Sequence, residues 1–159
     1  MIGNAGPGML AGVLVVEIAD QLGESCGLLF AGLGADVIKV EPPEGSPTRA
    51  IGPFLDDAPD RERSIFFWNY NRHKRSVALD AKTREGRDRL LKLIESADIL
   101  LDSSCGDVNA WLGLDRDAIL KRFPSLVVAR ITPFGDDGPW AQFKGSDLIH
   151  LALGGVMMN

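Results

Sequence analysis

Apolar and polar positions along this chain fall into short β-branched blocks separated by longer stretches with helical spacing. Val13-Leu14-Val15-Val16-Glu17-Ile18 is an apolar run of strand length, the pattern of a strand covered on both faces in a parallel sheet. Residues 25–33 follow with Cys26, Leu29, Phe30 and Leu33 at helical spacing, and Gly34 supplies the C-terminal stop. Residues 36–40 then form a second strand, parallel to the first by the right-handed crossover rule. The segment from Gly32 through Glu41 to Pro43 is the most informative in the chain, because it delivers Lys39 and Glu41 to the end of that strand. Loops at the carboxyl ends of parallel strands line the ligand crevice of an open α/β sheet.

From 41 to 63 the pattern dissolves into prolines, glycines and mixed charge, a length that points to a functional loop. Periodic structure resumes at 76–79. Thr83 is the expected N-cap of a helix reaching about residue 96, with Leu90, Ile94 and Ala97 on one face. Residues 99–101 make a strand, 115–122 a helix halted by Pro124, and 126–131 a further strand. The last helix, 148–153, takes Ser146 or Asp147 as its cap. Strand and helix alternate throughout, which predicts one α/β domain over 1–159 with a Rossmann-like, doubly wound, mainly parallel sheet. The apolar run Gly154-Gly155-Val156-Met157-Met158 has no closing element, so the chain reads as a piece truncated from a longer one.

Composition narrows the function. The 159 residues are 45% apolar and 25% charged, with a net charge of -5, which argues against a dedicated nucleic-acid binder. No stretch reaches the length of a membrane span and no leader pattern is present, so a cytoplasmic protein is expected. Cys26 and Cys105 stand far apart and read as buried or partly buried thiols. His73 and His150 lack partners at metal-ligand spacing, and no metal is expected. The turn after the first strand, Ala19-Asp20-Gln21-Leu22-Gly23-Glu24-Ser25, has no dinucleotide fingerprint and puts Glu24 where a phosphate would sit, so NAD and FAD are not expected. The cluster Phe66-Phe67-Trp68-Asn69-Tyr70-Asn71-Arg72-His73-Lys74-Arg75 reads either as an anion-binding stretch or as a loop with packed aromatics and solvated charges. Ser103 and Ser104, just past a strand, either bond a ligand or cap the next segment.

Taken together, the Gly34-to-Glu41 motif, Asn71-x-x-Lys74-Arg75-Ser76 to Asp80, Arg84-Glu85-Gly86, Leu112-Gly113-Leu114, Phe134-Gly135-x-x-Gly138-Pro139 and Gly145-x-Asp147 resemble the N-terminal portion of the class III CoA-transferase family. This family, of CaiB/BaiF type, includes formyl-CoA and carnitine-CoA transferases and the α-methylacyl-CoA racemases. The resemblance implies CoA or acyl-CoA and a small carboxylic acid as substrates, an acyl intermediate on an enzyme carboxylate, and interlocked homodimers. It implies CoA contacts at Gln21 and Leu22, at Leu79 near the adenine, at Lys82 on phosphate, and at Lys74, Arg75, Ser103 and Ser104. Pro42, Trp111 and the Asp102-to-Gly106 stretch replace residues that are often basic or otherwise characteristic in the family. The catalytic aspartate is expected past Asn159, so no catalytic residue is assigned and this chain alone is expected to be inactive. Ser146 stands where racemases carry a histidine, which argues against that chemistry. A second reading is a non-catalytic CoA-binding or scaffold half.

Overall fold

The computed structural model describes residues 8–103, 112, 114 and 116–158. Its centre is a five-stranded, wholly parallel sheet in the order β3-β2-β1-β4-β5. The strands are β1 (Leu14–Ile18), β2 (Asp36–Glu41), β3 (Arg75–Ala78), β4 (Ile99–Asp102) and β5 (Val127–Arg130). Between and after them run α1 (Glu24–Gly32), α2 (Ile65–Asn71), α3 (Arg84–Glu95), α4 (Arg116–Arg122) and α5 (Asp147–Leu153). From β1 the chain winds outward through β2 to β3, then returns across β1 to lay down β4 and β5. This is the doubly wound α/β arrangement that the alternation of strand and helix patterns predicts.

Both faces of the sheet are covered. On one, Val16, Ile18, Val40 and Leu100 pack with Leu90 and Ile94 of α3 and Ile119 of α4. On the other, Val15, Val37 and Leu101 meet Cys26, Phe30 and Ala31 of α1. Helix α3 shows why the pattern was legible. Thr83 Oγ1 accepts the Gly86 amide at 3.0 Å, fixing the start. Leu90 and Ile94, four residues apart on one stripe, are fully buried. A side chain at Gly86 would collide with the Asp80 carbonyl, so the helix packs against its own entry turn only because that position is glycine.

One feature departs from expectation, and a choice left open at α5 is resolved. The aromatic stretch, read either as an anion-binding stretch or as a loop, contains α2, whose N-cap is Ser64, its hydroxyl accepting the Phe67 amide at 3.0 Å. Only Phe67 of this helix is buried, so no apolar stripe announces it. At α5 the cap is Ser146, which accepts the Ile149 amide at 3.4 Å, while Asp147 is the first helical residue and exposed. Leu148, Leu151 and Leu153 of α5 are exposed as well.

The core assignment is testable on α3. Leu90→Ala should lower unfolding stability by about 2–5 kcal/mol, because the fully enclosed site cannot collapse around the lost volume. Arg89→Ala, on the solvent side of the same helix, should change it by no more than ~0.5 kcal/mol. Equilibrium urea unfolding of the two variants checks the contrast.

Candidate functional site

Side chains alternate between the two faces of a strand, and at the carboxyl ends of β1 and β2 this alternation separates apolar from charged groups. Val16, Ile18 and Val40 enter the core beneath α3. Glu17, Lys39 and Glu41 therefore project to the opposite face, the one that α1 covers. None of the three reaches solvent: Glu17 is 0%, Lys39 1% and Glu41 3% exposed.

What they form there is an internal ion network. Lys39 Nζ lies 3.2 Å from Glu17 Oε1 and 2.8 Å from Glu24 Oε1, and donates to the Ala19 carbonyl at 2.8 Å. Lys74 Nζ donates to both Glu17 oxygens at 2.9 and 2.8 Å, to the Glu24 carbonyl at 2.8 Å and to Asn71 Oδ1 at 3.1 Å. Thr48 Oγ1 donates to Glu24 Oε1 at 2.6 Å. Gly27 lies against the Glu17 carboxylate so closely that any side chain there would overlap it. Burial raises the pKa of Glu17 even against the pull of Lys39 and Lys74, and burial lowers that of Lys74 against the opposing effect of Glu17. Cys26, close by, has its thiol pKa raised first by burial and then by the Glu17 charge.

Glu41 anchors the long loop. It accepts Arg49 Nε at 2.7 Å and Nη2 at 2.9 Å, Ser76 Oγ at 2.6 Å and the Ser46 amide at 2.7 Å. Arg49 also stacks over the Phe67 ring, 3.8 Å from its centroid. Burial alone would raise the Glu41 pKa, but the bonds from Arg49, Ser76 and Ser46 together hold it down at about 2.

On the apolar side, beyond the ends of β1, β2 and β3, a cleft of about 430 Å³ opens. Its floor is Ile18, Ala19, Val40, Leu79 and Ala81, and its walls are Pro42, Pro43, Glu44, Ser46 and Pro47 on one side and Asp20, Asp80 and Lys82 on the others. This is a site of the size and character that takes a small organic ligand. It does not sit at the reversal of strand order between β1 and β4. There Ser103, 3% exposed, donates to Asp20 Oδ1 at 3.0 Å and accepts the Asp20 amide at 3.1 Å, closing the gap.

The structure brings Leu79 and Lys82 together at the cleft. Gln21 and Leu22 are exposed in the turn that follows Asp20, next to the cleft rather than lining it. Ser103 is engaged with Asp20 as described. Lys74, expected on phosphate, has a side chain only 1% exposed and directed into the ion network. Arg75 is exposed at the start of β3 and pairs with Asp36 at 3.0 Å; Asp36 opens β2, so the guanidinium lies toward the amino ends of the strands, away from the cleft. Lys39 and Glu41 stand at the strand end as expected, but on the face opposite the cleft. Glu24 does not present its charge to the position of a phosphate, since it is 1% exposed and paired with Lys39. Ser104 and Cys105 lie outside the described residues. Among the described residues no group of three or more His, Cys, Asp or Glu is placed to hold a metal ion, and no helix is long and apolar enough to cross a membrane.

The sequence profile of CoA-transferase family III matches residues 10–159. The chain is 40% identical over 152 residues to the succinate–glutarate CoA-transferase of Agrobacterium fabrum, covering 93% of this chain and 38% of that protein. To succinyl-CoA:(R)-benzylsuccinate CoA-transferase subunit BbsE of Thauera aromatica it is 38% identical over 143 residues, 90% of this chain and 35% of the other. The crystal structure of a CAIB/BAIF family protein from Brucella suis superposes with a TM-score of 0.85 at 38% identity, over 95% of this chain and 40% of that one. The chain belongs to CoA-transferase family III. It spans 35% and 38% of the lengths of the two curated relatives.

The depressed Glu41 pKa sets an acid limit on stability. Between the ordinary carboxylate range and about 2, the unfolded chain binds a proton that the folded chain refuses, so stability falls as pH drops through that window. Glu41→Gln should lower stability at neutral pH and flatten this acid limb. Urea midpoints measured from pH 7 down to pH 2 check both effects.

Proposed function

We propose that this chain is the CoA-binding N-terminal domain of a CoA-transferase, which moves CoA between an acyl-CoA and a carboxylic acid through an acyl intermediate on an enzyme carboxylate. The observation that carries the reading is the cleft at the carboxyl ends of β1, β2 and β3, in which Leu79 and Lys82 come together. Its apolar floor suits a purine face, and the Lys82 ammonium, exposed at the rim, suits a phosphate oxygen. Membership of CoA-transferase family III supports the reaction class, and the relatives named above act on succinyl-CoA or transfer CoA to dicarboxylic acids by their names. Assembly of two subunits belongs to the same reading, supported by the exposed Leu148, Leu151 and Leu153 of α5.

The binding role is tested by calorimetry with CoA. Lys82→Ala should weaken association roughly fivefold to tenfold, as expected for one exposed charge-assisted contact. Leu79→Asp, which puts a carboxylate on the floor, should abolish measurable binding while circular dichroism reports an intact fold. CoA affinity unchanged in both variants would sink the assignment of the cleft.

A further inference from the structure

The floor of the cleft is built on the ends of strands, but its wall from Pro42 to Ser46 lies between the end of β2 and a short 3₁₀ turn at Pro47–Ala50, outside any strand or helix. This stretch is held from three sides. Gly45 turns the chain with φ +83°, its amide donating to the Pro42 carbonyl at 2.8 Å. Glu41 accepts the Ser46 amide at 2.7 Å. Arg61 donates Nη2 to the Gly45 and Ser46 carbonyls at 3.2 and 3.1 Å. The Ser46 carbonyl also accepts the Arg49 amide at 3.1 Å, whereas among the described residues the Gly45 carbonyl is met by Arg61 alone.

The backbone that carries Arg61 is itself tied to the loop. Asp60 Oδ1 accepts the Glu62 amide at 2.8 Å, the Glu62 carboxylate accepts Arg49 Nη1 at 3.1 and 3.2 Å, and Ser64 Oγ donates to the Ile51 carbonyl at 2.6 Å. Behind the wall there is room. A second hollow of about 210 Å³ shares Pro42, Pro43 and Glu44 with the cleft and is lined further by Glu41, Ser76 and Arg61. Neighbours along a strand point to opposite faces, so Glu41 lies across the sheet from Val40, which floors the cleft. The peptide from Pro42 to Glu44 is therefore a partition with open space on both sides, kept in place by its ties rather than by close-packed neighbours.

We propose that Arg61 is a positioning residue for ligand binding, whose guanidinium braces this partition and so sets the width of the cleft without touching the ligand. The inference rests on the reading that the cleft binds CoA, and adds the residue that keeps the cleft in its binding shape. Without the guanidinium the Gly45 carbonyl loses its donor and the partition relaxes into the hollow behind it. Part of the binding energy is then spent on restoring the wall.

The test is calorimetric titration of this chain and three variants with CoA, at low and at high salt. Arg61→Met keeps the length of the stem and removes the donors; it should weaken CoA binding about fivefold at both salt concentrations, because a short-range brace is not screened. Arg61→Lys restores a donor and should bind within about twofold of the parent chain. Arg63→Met removes the same charge two residues away, from a side chain paired with Asp56 at 3.6 Å, and should leave the affinity within about twofold. Urea midpoints of all three should match the parent, since Arg61 and Arg63 are exposed. An Arg61→Met affinity within about twofold of the parent would overturn the inference while leaving the cleft a CoA site. So would a loss that vanishes at high salt, an equal loss in Arg63→Met, no recovery in Arg61→Lys, or a loss matched by a fall in the urea midpoint. Failure of the parent chain to bind CoA would overturn the underlying reading and this inference with it.

Discussion

Glu17 is the group on which the rest of this structure depends. A carboxylate at the centre of a parallel sheet, with no exposed surface, is stable as an ion only if its lone pairs are met by fixed donors. Lys39 meets it from the neighbouring strand and Lys74 from the residue before β3. Those two lysines then require acceptors of their own. Lys39 finds Glu24 at the start of α1 and the Ala19 carbonyl in the turn after β1, and Lys74 finds the Glu24 carbonyl and Asn71 at the end of α2. One buried charge thus ties together two strands, two helices and the first turn. Removing Glu17 leaves the Lys39 and Lys74 ammoniums together in a low-dielectric interior with the one carboxylate of Glu24 between them, a larger penalty than the net worth of the intact pairs.

The same alternation that builds this network also builds the cleft. Adjacent residues of β1 and β2 point to opposite faces, so the sequence that sends Glu17, Lys39 and Glu41 toward α1 necessarily sends Ile18 and Val40 the other way. The floor of the cleft is apolar because the polar groups have been sorted to the back. The long loop connects the two faces. Its amide at Ser46 and its Arg49 are bonded to Glu41 behind the sheet, while Pro42, Pro43, Glu44 and Pro47 wall the cleft in front.

Much of this was legible in the residues. Strand and helix blocks, the Thr83 cap and the parallel winding followed from period and punctuation, because local propensity and burial agree in those segments. Helix α2 was hidden because only Phe67 of its aromatics is buried and the others give no apolar stripe; the Ser64 cap was the available signal. Lys74, expected at a ligand phosphate, is instead held by Glu17, because its place next to β3 does not say which way its side chain turns. Parity was legible too: Glu17 directly precedes Ile18, and Lys39 and Glu41 flank Val40, so these charged side chains cannot share a face with Ile18 and Val40. A strand covered on both sides tolerates such residues only if they neutralise one another.

That constraint also explains the economy of charge at the cleft. Of the basic residues in the strands and the loops that lead to them, Lys39 and Lys74 are committed to Glu17 and Glu24, Arg49 to Glu41 and Glu62, and Arg75 to Asp36. A buried lysine with lowered pKa, as at Lys74, cannot be withdrawn to meet a ligand phosphate without stranding the carboxylate it neutralises. The cations that hold the sheet together are for this reason unavailable to the ligand. What the cleft keeps is an apolar floor, a wall bearing Pro42, Pro43 and Pro47, and the exposed Lys82, whose ammonium has no hydrogen bond or ion pair among the described residues.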